Sequence, residues 1–227
     1  MTCVAVTGAS GKTGWRVVQE ALARGYQVRA ILRPDSEAPE GLAGAEILRL
    51  QLGDHDALRQ ALQGCEALVV ATGARPSLDP LGPLKIDALA LRSQIAACKE
   101  AGVGRVVLVS SLCSGRWFHP LNLFWLVLVW KGVGERALQE SGLRWTVVRP
   151  GGLKETEDDL DKEGVVFSGP DQQESQSIPR RLVARVCVEA LETPASEGRI
   201  LEITSRHGGP QDSLAQWLAA HPQPQAA

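Results

Sequence analysis

Three glycines spaced three residues apart, Gly8, Gly11 and Gly14, lie in the run Thr7-Gly8-Ala9-Ser10-Gly11-Lys12-Thr13-Gly14. An apolar, β-type stretch (residues 3–7) precedes them and an amphipathic helical pattern (12–23) follows. That context suits an anion: a sharp exit from a strand, backbone amides facing outward, and a helix N-terminus adding its dipole. In this spacing Gly8 serves the turn, Gly11 lets the backbone approach a pyrophosphate, and Gly14 lets the helix pack close. Ser10, Lys12 and Thr13 supply the polar groups of the same loop. A strand–turn–helix that holds no ligand is the alternative reading.

The second apolar stretch, 27–32, ends in Ala30-Ile31-Leu32-Arg33-Pro34. Sites that prefer NAD usually end this strand with a carboxylate for the ribose diol. Here the first carboxylate, Asp35, comes only after the proline, and Arg33 offers a guanidinium fork suited to a 2′-phosphate. The cofactor expected on this ground is NADP(H), with Lys12 and Arg29 as further sources of positive charge. Asp54, in Leu52-Gly53-Asp54-His55, reads as the N-cap of the next helix, as a partner for the adenine amino group, or as both.

The elements that must position these residues alternate. Strand-like runs fall at 3–7, 27–32, 46–50, 66–72, 106–110, 145–149 and 200–204, and helical patterns at 12–23, 56–63, 84–101, 121–141, 179–191 and 212–220. Residues 67–71 are wholly apolar, as in a strand buried on both faces. Such strands joined by helices predict a single α/β domain, a Rossmann-type doubly wound and mostly parallel sheet, spanning about 1–220. The polar stretch 154–177 reads as irregular, so 151–180 forms a small substrate-loop region, and 221–227 a frayed tail.

Composition narrows the function classes. A net charge of −2 with interleaved signs excludes a nucleic-acid footprint. The five cysteines form no CxxC pair and the four histidines no zinc spacing, so no metal is expected and a reducing, cytoplasmic setting is. No basic or apolar leader precedes the first strand, and the apolar stretch 121–130 is too short to span a bilayer. An oligomer is not required.

Several further motifs carry a resemblance: GD at 53–54, ATGAR at 71–75, VLVSS at 107–111, VWKGVGERALQESG at 129–142, TVVRPGGL at 146–153 and SIPRRLVARVCVEAL at 177–191. With TGASGKTG at 7–14, they make the chain similar to the atypical short-chain dehydrogenase/reductase superfamily. The likeness is nearest to its NmrA-like and biliverdin-B (flavin) reductase-like branch. The resemblance implies that Thr72, Gly73 and Ala74 pass beside the adenosine and pyrophosphate. It implies that Ser110 and Ser111 lie beneath the nicotinamide, that Lys131 bonds the nicotinamide ribose, and that Pro150, Gly151 and Gly152 hold the carboxamide. Some reductases of that branch carry a histidine where this chain has Gly152.

The superfamily's usual proton donor is a tyrosine four residues before the lysine, and Val127 stands there instead. The chain's one tyrosine, Tyr26, precedes the second strand. Ser111 and Lys131 remain as the catalytic candidates, with Ser111 equally readable as a residue that ties down the following turn. Carbonyl reduction would lack its acid, whereas hydride transfer to a flavin, quinone or linear tetrapyrrole would not need it. The expected activity is therefore NADPH-dependent reduction of a small planar conjugated acceptor, with a non-catalytic NADP-binding sensor or scaffold as the alternative. Trp117, Phe118, Phe124 and Trp125 precede the lysine helix. They read as a wall of the acceptor pocket, as core, or as a surface (117–130) that touches a partner or membrane. Arg180 and Arg181 are placed to meet an acidic substrate, or are ordinary surface arginines.

Overall fold

The computed structural model describes residues 2–74, 79–123 and 125–222. Arg75 of the ATGAR motif, Phe124 and residues 223–227 of the tail lie outside the described residues. The elements run β1 (Cys3–Thr7), α1 (Gly14–Ala23), β2 (Gln27–Leu32), β3 (Glu46–Arg49), α2 (His55–Leu62) and β4 (Ala67–Val70). They continue with α3 (Leu91–Ala101), β5 (Arg105–Val109), α4 (Val127–Gln139), β6 (Arg144–Pro150), β7 (Gly152–Lys154) and β8 (Glu163–Ser168). The last are β9 (Ser177–Pro179), α5 (Arg180–Glu192), β10 (Arg199–His207) and α6 (Leu214–Ala220).

Eight strands form one sheet in the order β3-β2-β1-β4-β5-β6-β10-β8, parallel except for β8, which pairs antiparallel with β10. Every residue of β4 and β5 is buried, because helices cover both faces. Val6, Val17, Ala21, Val107, Val148 and Val186 belong to the core beneath α1 and α5. Ala5, Leu58, Leu68, Ile95, Leu108 and Leu138 belong to the core beneath α2, α3 and α4. From β1 the chain winds out to β3, then returns to β4 on the other side. The carboxyl ends of β1 and β4 therefore border a crevice, where doubly wound sheets bind ligands.

Three expectations need correction. The helix expected over 84–101 is two segments, π-helical turns at Leu84–Ala90 and then α3. The helix expected from 121 starts only at Val127, because Asn122 turns inward. Its amide donates to the Arg116 and Trp117 carbonyls, and its Oδ1 accepts from the Leu128 amide. Trp125 and Leu126 then take left-handed backbone, which an α-helix does not admit. The polar stretch 154–177 contains β8, whose Val165 and Phe167 turn inward while Glu163, Val166 and Ser168 are half-buried. Such a half-buried edge strand shows only a brief apolar alternation. In the tail, His221 stacks on Trp217 with centroids 4.7 Å apart. Among the described residues no helix is long and apolar enough to cross a membrane.

Candidate functional site

The glycine loop is built from backbone contacts. Gly8 has φ +74°, and a Cβ there would sit 2.7 Å from the Ala71 carbonyl carbon at the end of β4. A Cβ on Gly14 would lie 2.1 Å from the Gly8 carbonyl oxygen, so α1 can start flush against the loop only as glycine. The Gly11 amide donates to the Gly8 carbonyl at 2.8 Å and closes the turn. No side chain caps α1. Thr13, at the N-cap, instead accepts a hydrogen bond from Arg180 Nη1 at 3.0 Å. Within the first turn the Trp15 and Val17 amides bond back to the Gly11 and Thr13 carbonyls, so α1 offers an external acceptor its dipole and the amides that no side chain caps.

Beside this loop opens a cleft of about 270 Å³, lined by Gly8, Ser10, Gly11, Ile31, Leu32, Arg33, Leu52, Thr72, Gly73 and Ala74, among others. Its mixture of backbone, apolar side chains and one cation suits an adenosine with its phosphates. Arg33 is exposed and is the one charged residue among the described residues lining the cleft. Lys12 is exposed and pairs with Glu155. Arg29 does not reach the cleft: it sits earlier on β2, bonded to Glu46 at 2.8 Å and to the Ala61 and Gln63 carbonyls. Asp54 caps α2, accepting from the Ala57 amide at 3.0 Å. Leu52, not Asp54, lines the cleft.

Next to the cleft, in a small cavity that shares Thr72 and Ile86 with it, Lys131 Nζ lies 2.8 Å from Asp87 Oδ1, with side-chain exposures of 15% and 4%. Asp87 Oδ2 also accepts from the Ala74 amide at 3.4 Å, so one carboxylate joins Lys131 to the segment after β4. Two glycines that follow Lys131 on α4, Gly132 and Gly134, make this possible. A Cβ on Gly134 would lie 2.1 Å from the Asp87 carbonyl oxygen, and one on Gly132 would lie 2.7 Å from Gly115 Cα. Sequence reasoning missed Asp87. Its signal was a lone carboxylate in the apolar pattern Leu84-Lys85-Ile86-Asp87-Ala88-Leu89-Ala90, and single π-helical turns often mark functional positions.

Ser110 is buried and donates its hydroxyl to Glu135, one turn beyond Lys131 on α4. Glu135 in turn pairs with Arg149 at 2.7 Å, and Arg149 stands 3.5 Å from Glu202. Burial alone would lower the Arg149 pKa, but the Glu135 carboxylate reverses this and holds it above its usual value. Glu202, fully buried, accepts from the amides of Asp171, Gln172 and Gln173. The chain thereby fastens the 171–173 turn to the end of the sheet, a network the sequence did not reveal. Ser111 is half-buried, one residue further on. Pairing persists past β5, with Ser110 and Leu112 amides donating to the Val148 and Pro150 carbonyls. Strand alternation therefore turns the Ser111 side chain away from Glu135.

The Pro150-Gly151-Gly152 turn has a packing reason of its own. A Cβ on Gly151 would meet the Gln176 carbonyl oxygen at 2.1 Å, and the Gly152 amide donates to that oxygen at 2.9 Å. Trp117 (65% exposed), Phe118 (104%) and Trp125 (45%) project into solvent and do not line the cleft, which rules out the core reading of this segment. Tyr26 lies at the amino end of β2, its hydroxyl 3.5 Å from Glu192, at the opposite end of the sheet from Arg33. Arg180 and Arg181 sit against α1, with Arg181 and the buried Arg16 both pairing with Glu157. Among the described residues no cluster of three or more His, Cys, Asp or Glu side chains could hold a metal.

Comparison with known proteins agrees with this geometry. Residues 8–194 match a family model described as NAD(P)H-binding. An uncharacterised chloroplastic protein of Arabidopsis thaliana is 36% identical over 231 residues, covering 96% of this chain and 81% of the other. Sanguinarine reductase of Eschscholzia californica is 26% identical over 263 residues, covering 97% and 95%. A solved structure described as a putative NAD-dependent epimerase/dehydratase from Bacillus halodurans superposes with a TM-score of 0.84 at 26% identity, covering 97% of this chain and all of that one.

Proposed function

The chain belongs to the NAD(P)H-binding family, with NADP(H) as its cofactor, and from that premise we propose that it is a reductase acting on a small planar conjugated acceptor. The observation that carries the cofactor part is the glycine cradle, where added Cβ atoms would collide with backbone and no side chain caps α1. When bound, NADP(H) supplies a hydride; the chain's own residues bind, orient and exclude water. Ser10, Gly11, Lys12 and Thr13 receive the pyrophosphate, Arg33 the 2′-phosphate, and Thr72–Ala74 the adenosine side. Lys131, oriented by Asp87, holds the nicotinamide ribose, and Pro150–Gly152 the carboxamide.

The acceptor class follows from the groups available at the hydride end. Ser110 has given its proton to a hydrogen bond with Glu135, and Lys131 is paired with Asp87. Neither resembles the acid that a carbonyl acceptor needs as its oxygen gains charge. An acceptor that delocalises the incoming charge over a conjugated ring, a flavin first, then a tetrapyrrole or quinone, takes its proton from water. Ser111 orients it. Trp117, Phe118 and Trp125, exposed on the segment that leads into α4, offer aromatic faces against which a planar molecule stacks.

The experiment is a spectrophotometric assay with NADPH and, separately, FMN, FAD, biliverdin, a benzoquinone and sanguinarine. Consumption of NADPH well above background with at least one acceptor is expected. The same engagement of Ser110 and Lys131 favours a second reading, a cofactor-binding module without turnover. Tight NADPH binding with no oxidation by any acceptor would establish that reading instead.

A further inference from the structure

We infer that Cys3 and Cys65 form a reversible redox pair, oxidised by a peroxide to a disulfide that staples β1 to the segment ahead of β4. The two sulphurs lie 3.0 Å apart although 62 residues separate them in sequence. A bond between them at about 2.0 Å needs a closing movement of only about 1 Å. The backbone on both sides is already fixed: Cys3 opens β1, its carbonyl accepts from the Glu66 amide at 2.9 Å, and the Cys65 amide donates to Leu62 at 3.0 Å. β1 and β4 then run in register from Val4 and Ala67. The cross-link therefore joins segments that the sheet holds together.

The two thiols differ in a way that assigns their roles. Cys65 is buried, whereas Cys3 is partly open to solvent. Burial, with the hydrogen bond to Cys3 next, pushes the Cys65 thiol up to about 12 even though Arg29 Nη1 stands 3.7 Å from its sulphur. Arg29 itself lines an open groove of about 490 Å³ with Glu46, Gln60 and Gln63. Cys3 is thus the sulphur a small oxidant meets first, and Cys65 the resolving partner.

The step balances as follows. The Cys3 thiolate attacks one peroxide oxygen, the O–O bond breaks, and Cys3 becomes a sulfenic acid while the other oxygen leaves as water or alcohol. The Cys65 sulphur then attacks the sulfenic sulphur, forming S–S and releasing water. Two thiols lose two electrons and two protons overall, and the peroxide is reduced. A dithiol or the thiol pool of a reducing compartment reverses it. Because the pair sits at the amino ends of β1 and β4, opposite the glycine loop, oxidation stabilises the fold without closing the cleft.

The intact protein is treated with hydrogen peroxide, then its thiols are counted under denaturing conditions and its peptides mapped without reduction. The expected result is a fall from five free thiols to three, a Cys3–Cys65 peptide, full reversal by dithiothreitol, and unchanged NADPH affinity. Closing a loop of this length should raise Tm by roughly 8–16 °C. In Cys65→Ser the sulfenic acid should persist on Cys3, where a 1,3-diketone traps it. Five thiols after peroxide, a sulfinic Cys3 with Cys65 still free, or a cross-linked protein with unaltered Tm would each overturn the inference. None of these outcomes depends on whether the cleft turns over an acceptor.

Discussion

Replacing Arg33 by alanine should weaken NADPH binding while leaving NADH binding nearly untouched. Arg33 is the one cation among the described residues of the cleft wall, and it is exposed, so no buried partner is orphaned by its removal. A hydrogen bond between a guanidinium and a phosphate contributes about 1.5–3 kcal/mol. Exposure and salt screening, with a Debye length of about 8 Å at physiological ionic strength, pull the value toward the low end. The expected loss is about 10- to 30-fold in Kd, at about 1.4 kcal/mol per decade. Higher salt should shrink the gap between wild type and variant. Fold stability should hold, since an exposed substitution away from special features shifts it by only about 0.5 kcal/mol. Fluorescence titration of both cofactors at two salt concentrations reads all of this. An equal loss for NADPH and NADH, or none for either, would refute the reasoning that Arg33 meets the extra phosphate.

Gly14→Ala places a Cβ 2.1 Å from the Gly8 carbonyl oxygen, so the loop must open; a loss of NADPH affinity of about tenfold or more is expected, together with a lower Tm. Ser111→Ala should cut kcat by about tenfold with a suitable acceptor and leave NADPH Kd within about twofold, whereas unchanged kcat would reduce Ser111 to a turn residue. Glu135→Leu leaves the buried Arg149 short of its main partner, and such losses cost about 3–5 kcal/mol, which calorimetric melting would read as a Tm drop of roughly 6–20 °C. The Glu157 carboxyl is pushed up by burial, but the Arg16 hydrogen bond and the charge of Arg181 outweigh this and hold it below the usual carboxylate range. Its contribution is therefore fully present above the ordinary carboxylate pKa and is lost as pH falls through the lowered value. Acid melts below about pH 4.5 should show that loss in wild type and much less of it in Glu157→Gln.

The parallel sheet was legible because fully buried strands, such as Ala67–Val70, are apolar at every position. The glycine loop was legible because its contacts involve backbone, so sequence alone betrays where a Cβ is not allowed. Arg33 was readable from its place at the end of β2. What escaped were polar groups whose meaning lies in pairings distant along the chain. Asp87 meets Lys131 across 44 residues, and Glu135 meets Arg149 and Ser110 from different elements. No local pattern encodes such partners. Arg29 misled because spacing along β2 suggests nearness to Arg33, whereas four residues of strand carry it roughly 13 Å away at about 3.3 Å each. The aromatic segment stayed open for another reason: apolar composition does not distinguish wall, core and surface, and only its exposure excludes the core.

Titration calorimetry of the purified protein with NADPH addresses the central claim most directly. One NADPH per chain is expected to bind with micromolar or tighter affinity, with NADH weaker and adenosine 2′,5′-bisphosphate competing for the same cleft. No binding heat with either reduced or oxidised NADP at any temperature tested would mean that the glycine cradle and Arg33 do not form a dinucleotide site.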